Sequence, residues 1–220
     1  MGLHLCAARM APTTSYEKLI PCVRLAVQFV VLDDQLEFST REETKQCLDR
    51  IIEIVKGAEP LPDENGTFHQ MAILRDEFAA FMPPTWMAQF IRNLQRVMKY
   101  GIMDEMPYKI SGSTPPLEYF MVLREYCVLM YPYYLWAAIE SDFVLPDYID
   151  EHPVMMRLMA LACRLEAWQN DFHSYAKEIC LDSEGIYAKD TLRYLPGGVG
   201  FAWPEVETAN KYRNEHFKLK

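Results

Sequence analysis

The stretch Asn170-Asp171-Phe172-His173-Ser174-Tyr175-Ala176-Lys177-Glu178 lies near the end of a segment that is predicted to form one long helix over 153–179. On a helix, Asn170, Ser174 and Glu178 are four residues apart in turn, so they occupy successive turns of one face. An amide oxygen, a hydroxyl and a carboxylate in a row can form a three-point oxygen cage for a divalent ion. The alternative is a polar helix face whose side chains contact one another without binding a ligand.

Outward from this stretch, helical spacing of apolar residues recurs through nearly the whole chain. Val23, Ala26, Val27 and Val30, for example, follow one another at intervals that mark the buried face of a helix. One helix is predicted to start near Tyr16, with an interruption at Pro21, and another is predicted to start at Arg41. Further helices are predicted over 68–81, 84–100 and 116–139, the last kinked at Pro132. The ranges 57–66 and 101–116 are predicted loops. With no strand pair and no repeat, the predicted fold class is all-α, a helical bundle.

A second group of oxygen-bearing side chains, Asp33-Asp34-Gln35-Leu36-Glu37, follows the apolar run 29–32. Asp33 and Glu37 lie one helical turn apart on one face. A carboxylate pair at the end of a buried face is costly unless a cation binds there, and hard oxygen ligands suit Mg²⁺ or Mn²⁺. Taken alone, such a pair is also typical of a solvated helix end.

The composition limits the classes of function. The 220 residues are half apolar, enough for a sizeable core, and carry a net charge of −9 without a run of lysine or arginine. A nucleic-acid binder is therefore excluded as an interpretation. An acidic protein that binds a phosphate-bearing ligand would need a metal ion or a few local cations to offset repulsion.

The six cysteines are widely spread, without a C-x-x-C pair or a signal peptide, which favours free thiols and a cytoplasmic location. The longest apolar run, 127–139, is too short and is interrupted by Pro132, so no transmembrane segment is predicted.

Taken together, the two acidic groups resemble those of a class I terpene synthase of the microbial type. Asn170-Asp171-x-x-Ser174-x-x-Lys177-Glu178 matches the second metal motif of that family, N-D-x-x-S-x-x-K-E, at every defined position. Asp33-Asp34-x-x-Glu37 resembles its first, aspartate-rich motif more loosely. Arg124 lies where these enzymes carry their diphosphate-sensing arginine.

The resemblance implies a Mg²⁺-dependent lyase that binds three ions, with Mn²⁺ as an alternative. It implies that Asp33 binds two ions, supported by Asp34 and Glu37, and that a third ion is bound by Asn170, Ser174 and Glu178. Arg124 and Lys177 are the implied catalytic residues, which contact the diphosphate of a prenyl substrate, farnesyl or geranylgeranyl diphosphate. The allylic carbocation left behind then cyclises in an apolar pocket. Besides the substrate, a second copy of the chain is considered as a binding partner, in a homodimer.

Aromatic side chains could stabilise such a carbocation, although packing in the core is the expected role of most of them. The candidates are Phe29, Phe38, Tyr119, Phe120, Tyr126, Tyr131, Tyr133, Tyr134, Trp136, Trp168 and Phe172.

The resemblance covers residues 12–178, so we expect a partial terpene synthase domain over 1–180 and a divergent loop and short helix over 181–220. Arg193-Tyr194 has the letters of the family's C-terminal arginine–tyrosine pair but follows the second motif too closely to be assigned that role. The chain looks short at both ends relative to the family. A weak or inactive catalyst is therefore expected.

Three alternatives remain open at this point. A chain-elongating prenyl transferase would carry two aspartate-rich motifs, whereas the second motif here has asparagine, serine and glutamate. A di-iron helical bundle needs Glu-x-x-His pairs, and no histidine of this sequence has a glutamate three residues before it. A catalytically dead helical remnant or interaction protein would show no Mg²⁺-dependent stabilisation by diphosphate.

Overall fold

A computed structural model describes residues 3–37 and 39–183 of the chain, with 174–183 described by their backbone alone. These residues form α-helices and one π-helix and contain no strand, which confirms the all-α prediction. The elements in order are α1 (Leu3–Met10), α2 (Tyr16–Leu36), α3 (Arg41–Val55), α4 (Gly66–Ala79), α5 (Pro84–Arg96), a π-helix (Val97–Met103), α6 (Asp104–Ser111), α7 (Leu117–Cys127), α8 (Tyr131–Tyr134), α9 (Trp136–Ser141), α10 (Asp147–Asp150) and α11 (Pro153–Ser183). None of these helices has the length and apolar character needed to cross a membrane.

An aromatic cluster joins α4, α5 and the α8–α9 segment in the core. The rings of Trp86 and Phe90 stack with centroids 5.4 Å apart, and Phe78 packs against both. The indole N–H of Trp86 donates to the carbonyl of Leu135 at 3.1 Å. Because this buried donor has a partner, the indole of Trp86 is accommodated in the core without an unsatisfied polar group.

The start of α3 follows directly from local sequence. Thr40 accepts a hydrogen bond from the backbone N–H of Glu43, and the Glu43 carboxylate accepts one from the N–H of Thr40 in return. This capping box satisfies donors that the first turn of a helix leaves unpaired. The prediction of a helix that opens at Arg41 is confirmed.

Pro21 does not interrupt the second helix, and the predicted interruption there is wrong. α2 runs unbroken from Tyr16 to Leu36. Proline removes one intrahelical hydrogen bond, but Pro21 is itself buried and is followed by buried Cys22, Leu25 and Phe29. Burial of this apolar face therefore outweighs the lost hydrogen bond.

The predicted loop over 101–116 is also wrong for most of its length, since the π-helix continues to Met103 and α6 extends to Ser111. Gly101 has a packing role in place of a turn. A Cβ atom at this position would lie 2.8 Å from the backbone carbon of Tyr126 and 3.0 Å from the backbone nitrogen of Cys127. Glycine is therefore required for the π-helix to approach the end of α7.

The predicted kink at Pro132 lies a few residues earlier, at residues 128–130. α7 ends at Cys127, and Leu129 adopts a positive φ of 59°. Pro132 lies in the first turn of α8, where its missing N–H is not needed. The helix thus breaks immediately after the segment that carries Arg124.

Candidate functional site

Two ion pairs join α7 to α11. The guanidinium of Arg124 donates to Asp171 through Nε, at 3.2 Å from Oδ2, and through Nη2 to Oδ1. Its neighbour Glu125 accepts hydrogen bonds from Arg164. Asp171 and Glu125 are both buried. Since buried carboxylates require compensation, the two pairs fix α7 against the helix that carries the second predicted metal motif.

Arg124 is held as a cation by its surroundings. Burial lowers the pKa of its guanidinium, but the charge of Asp171 and the hydrogen bonds to it raise the pKa by more, so the net pKa lies above its usual value. Asp171 engages Nε and Nη2, which lie on one edge of the guanidinium. A planar fork oriented in this way can present its Nη1 donors to an anion.

Sequence reasoning missed Asp171 as a functional partner of Arg124. The residue continues the buried stripe of α11, because Ala160, Cys163, Ala167 and Asp171 are spaced three and four residues apart and all are buried. An acidic side chain in line with a buried apolar stripe requires a buried cation opposite it. That spacing is the signal in the sequence that could have identified the pair.

Asn170 faces a different environment from Asp171. Its side chain is exposed on α11, less than one turn before the described side chains end at the exposed His173. Ser174 and Glu178 lie on the same helix, and the helical backbone puts them one and two turns beyond Asn170 on its face. Lys177 lies on the same helix.

The first predicted metal motif lies at the C-terminal end of α2. Asp33 and Asp34 are exposed, and Glu37, which caps the helix in helical geometry, is half-buried. Gln35 has a different role, because its side-chain oxygen accepts a hydrogen bond of 2.7 Å from the Thr67 hydroxyl of α4. The negative end of the helix dipole adds to the attraction of these carboxylates for a cation.

Cys127, the last residue of α7, connects the two regions electrostatically. Burial raises the pKa of its thiol well above the usual range, and the carboxylates of Glu105 and Asp33 raise it further, whereas Arg124 and Lys109 lower it. Asp33 and Arg124 therefore act on the same side chain.

The donor chemistry fits a hard divalent cation. Carboxylates at the end of α2 and an exposed amide oxygen on α11 are oxygen ligands of the kind that Mg²⁺ and Mn²⁺ prefer. Among the side chains that the structure describes, those of residues 3–37 and 39–173, no three from histidine, cysteine, aspartate or glutamate converge on a single ion. A small number of protein carboxylates is typical of Mg²⁺ sites that are completed by water and by phosphate oxygens of a ligand.

Most of the candidate aromatic residues that are described pack in the core. Phe29 meets Tyr133 edge-on with ring centroids 5.5 Å apart, and Tyr126 stacks on Tyr131 at 5.2 Å. Phe120, Tyr131 and Trp136 are buried, whereas Tyr119, Trp168 and Phe172 are exposed. Phe38, Arg193 and Tyr194, as well as residues 184–220 of the predicted tail, lie outside the described residues, so the division at residue 180 stays a prediction.

Comparison with known proteins gives a consistent family match. Residues 24–187 match the family described as terpene synthase family 2, C-terminal metal binding. Over 177 residues the chain is 25% identical to germacrene A synthase of Nostoc punctiforme. The aligned region covers 79% of this chain and 54% of that protein. It is 24% identical over 179 residues to a (+)-T-muurolol synthase of Roseiflexus castenholzii, described as cyclising (2E,6E)-farnesyl diphosphate, with 80% of this chain and 55% of that protein covered.

The fold is likewise shared with solved structures. Germacradien-4-ol synthase from Streptomyces citricolor superposes with a TM-score of 0.64 at 20% identity, covering 81% of this chain and 64% of that one. The chain spans about half the length of the curated relatives that it matches.

Proposed function

Since the chain belongs to the terpene synthase family, we propose that it binds a prenyl diphosphate with divalent metal ions between the end of α2 and the α7–α11 pair, and that it promotes loss of the diphosphate. The observation that carries this proposal is the Arg124–Asp171 pair. It links the arginine of α7 to the residue directly after Asn170. Asp33 lies within electrostatic reach of the same region.

The metal ions would be held from two sides. Asp33, with Asp34 and Glu37 in support, would provide the carboxylates, and Asn170, Ser174 and Glu178 would provide the oxygen ligands of α11. We propose Mg²⁺, with Mn²⁺ as the alternative, and three ions in the loaded site. When bound, such ions neutralise negative charge on a departing diphosphate.

Arg124 would bind the diphosphate without leaving Asp171. Because Asp171 takes Nε and Nη2, the Nη1 donors can contact a phosphate oxygen while the ion pair persists. Lys177 would supply a second cation from α11. A positive charge fixed before the bond breaks needs no reorganisation as negative charge develops on the leaving group.

The relatives support one substrate class for this proposal. The name of the T-muurolol synthase specifies cyclisation of farnesyl diphosphate, which supports this prenyl length over geranylgeranyl diphosphate. Loss of diphosphate breaks a carbon–oxygen bond of the substrate, so this step would make the protein a carbon–oxygen lyase. The allylic carbocation left behind would cyclise and then lose a proton to give a hydrocarbon or add water to give an alcohol.

Binding of inorganic pyrophosphate tests the site independently of product formation. The melting temperature of the purified chain should rise with pyrophosphate only when Mg²⁺ is present. A pyrophosphate concentration of one hundred times Kd should increase the free energy of unfolding by about 2.7 kcal/mol. Asn170→Ala should abolish the rise, whereas Gln169→Ala, which removes the exposed neighbouring amide, should retain it. Equal shifts in both variants would contradict the assignment of the second metal site.

Turnover is measured separately, by incubation with farnesyl or geranylgeranyl diphosphate and Mg²⁺. We expect release of pyrophosphate with a hydrocarbon or alcohol product detected by gas chromatography and mass spectrometry, and loss of both in Asp33→Asn and Arg124→Gln. Pyrophosphate binding without any product would restrict the chain to ligand binding.

A further inference from the structure

Helix α6 carries a charged pair, Glu105 and Lys109, on the side that faces the protein, and we call it the α6 pair. The Lys109 Nζ lies 3.1 Å from Oε2 of Glu105, and the side chains of Lys109 and Glu105 are only 26% and 15% exposed. The pair Lys45–Asp49, with the same spacing on α3, is instead 56% and 62% exposed. A pair of this kind contributes little to stability, and withdrawal of charges from water costs free energy. The inward position of the α6 pair therefore needs a reason other than helix stability.

Two contacts fix the rotation of α6 about its axis. The Thr44 hydroxyl of α3 lies 3.9 Å from the sulfur of Met106, and the ring of Tyr108 packs against that of Tyr119 of α7 with centroids 5.8 Å apart. At 3.6 residues per turn, the α6 pair falls in the sector between the contact with α3 and the contact with α7. The opposite sector is exposed and consists of Pro107, Ile110 and Ser111. The α6 pair is thus oriented towards the space between the start of α3, which follows the first metal motif, and α7.

The segment 101–108 runs alongside α7 in the opposite direction. One contact joins Gly101 to the backbone of Tyr126, and the ring contact described above lies seven residues away along each segment. Arg124 lies on α7 between these two contacts. Side chains tilt towards the N-terminus of their helix, so the stem of Lys109 extends back along α6 to its partner carboxylate and towards the level of Arg124.

Charges from three helices act on one side chain, the thiol of Cys127. Burial raises the pKa of this thiol most, Glu105 and Asp33 raise it further, and Arg124 and Lys109 lower it. The α6 pair therefore shares its electrostatic surroundings with the arginine of α7 and with the first carboxylate of the proposed metal site.

We propose that Lys109 is a further contact of the diphosphate, reaching it from α6 between the first metal motif and Arg124. This inference rests on the proposed function and adds a third cation to Arg124 and Lys177. In the absence of ligand, Glu105 holds the ammonium group, and in the loaded site the group turns to a phosphate oxygen. A lysine suits such an exchange, because its charge is compact and its stem is flexible, whereas the planar fork of Arg124 stays bound to Asp171.

Calorimetric titration of the full chain with inorganic pyrophosphate in the presence of Mg²⁺ tests the inference. In Lys109→Gln the Kd should rise by about tenfold, which corresponds to 1.4 kcal/mol. Lys109→Arg keeps the charge and should remain within about threefold of the wild type. The matched control is Lys45→Gln, which breaks the exposed pair of the same spacing and should leave the Kd unchanged. A Kd for Lys109→Gln that equals that of the control would overturn the inference.

Glu105→Gln separates a diphosphate contact from a pair that serves packing alone. The substitution removes the carboxylate that competes with phosphate for Lys109, so the Kd for Mg²⁺–pyrophosphate should fall by about threefold, opposite in direction to Lys109→Gln. Circular dichroism should show unchanged helix content in both variants. If both variants weaken binding, the α6 pair acts through packing or Glu105 is itself a metal ligand, and the proposed exchange is wrong.

Two further measurements separate the failure of this inference from the failure of the proposed function. A wild-type chain that does not bind Mg²⁺–pyrophosphate would overturn both, whereas wild-type binding that Lys109→Gln retains in full would overturn the Lys109 contact alone. Titration with Mg²⁺ in the absence of pyrophosphate should show no loss of metal affinity in Lys109→Gln, because the substitution removes a cation. A loss of affinity for Mg²⁺ alone would show that the substitution damages the metal site, and it would overturn the direct contact.

Discussion

Asn170 and Asp171 are adjacent on α11 but lie in different surroundings. The amide of Asn170 is exposed, whereas the carboxylate of Asp171 is buried against Arg124. Two consecutive residues of α11 are thus a proposed metal ligand and the ion-pair partner of Arg124, the proposed diphosphate ligand. Because both are fixed to the same rigid backbone, the position of the arginine and that of the metal ligand are set together.

Replacement of Asp171 by asparagine should separate its support of Arg124 from its general contribution to packing. The variant leaves the Arg124 charge without its carboxylate, which should lower the free energy of unfolding by roughly 1–3 kcal/mol. Because the guanidinium also loses its fixed orientation, the Kd for Mg²⁺–pyrophosphate should rise by about tenfold, equivalent to 1.4 kcal/mol. Urea unfolding and calorimetric titration measure the two effects.

Glu125→Gln provides the matched control for Asp171→Asn. It breaks the neighbouring pair with Arg164 between the same two helices, at similar burial. We expect a comparable loss of stability and no change in pyrophosphate affinity. If both variants weaken binding equally, the effect of Asp171 arises from helix packing and Arg124 has no specific role.

A pH-dependent contribution to stability is expected from Glu64. Its hydrogen bonds with Arg50 and with the N–H of Leu61 lower the pKa of its carboxyl to about 2. The pKa in the unfolded chain is about 4.3, so the stabilisation is complete above that pH and is lost as the pH falls towards 2. The difference in urea midpoint between wild type and Glu64→Gln should therefore be largest above pH 5 and shrink on acidification, with Asp63→Asn as an exposed control. A difference that stays constant from pH 6 to 3 would contradict this assignment.

The thiols should differ sharply in reactivity. Burial raises the pKa of Cys22 to about 12, and burial raises that of Cys163 to about 12 as well, so at pH 7.5 neither forms appreciable thiolate. Cys6 is exposed. Mass spectrometry after brief maleimide treatment should find Cys6 modified first, and Cys22 and Cys163 only as the chain unfolds. Modification of Cys22 as fast as Cys6 would show that α2 opens locally in the native state.

Helix periodicity predicted much of the fold, because it depends on short-range sequence. The Thr40–Glu43 capping box and the long helix that opens at Pro153 are examples in which short-range sequence determines the observed structure. Errors occurred where tertiary packing overrides local preference. Pro21 continues a buried helix, and Leu129 adopts a positive φ that a bulky side chain gives no reason to expect.

The helical spacing on which the candidate site rests was predictable to a similar degree, whereas the metal-binding roles themselves stay predictions. The spacing of Asn170, Ser174 and Glu178 requires only that the segment be helical, and its backbone is. The partner of Arg124 could not be found in this way, since Asp171 meets it through the packing of two helices far apart in sequence. Only the continuation of a buried stripe by a carboxylate indicated that a cation lay opposite.

Gly101 is the position at which packing beside the site should be most sensitive to a single methyl group. A Cβ would lie within 3.0 Å of the backbone at Tyr126 and Cys127, next to the break that follows α7, and backbone atoms cannot move aside as a flexible side chain can. Gly101→Ala should therefore lower the free energy of unfolding by about 2 kcal/mol and weaken Mg²⁺–pyrophosphate binding, because α7 carries Arg124. Gly66→Ala is the control: no atom lies within 4 Å of the added methyl, so stability should be unchanged or rise by up to about 1 kcal/mol through loss of unfolded-state entropy. Thermal and urea unfolding of the two variants measure this difference, and equal stabilities would show that the π-helix can withdraw from α7 at no cost.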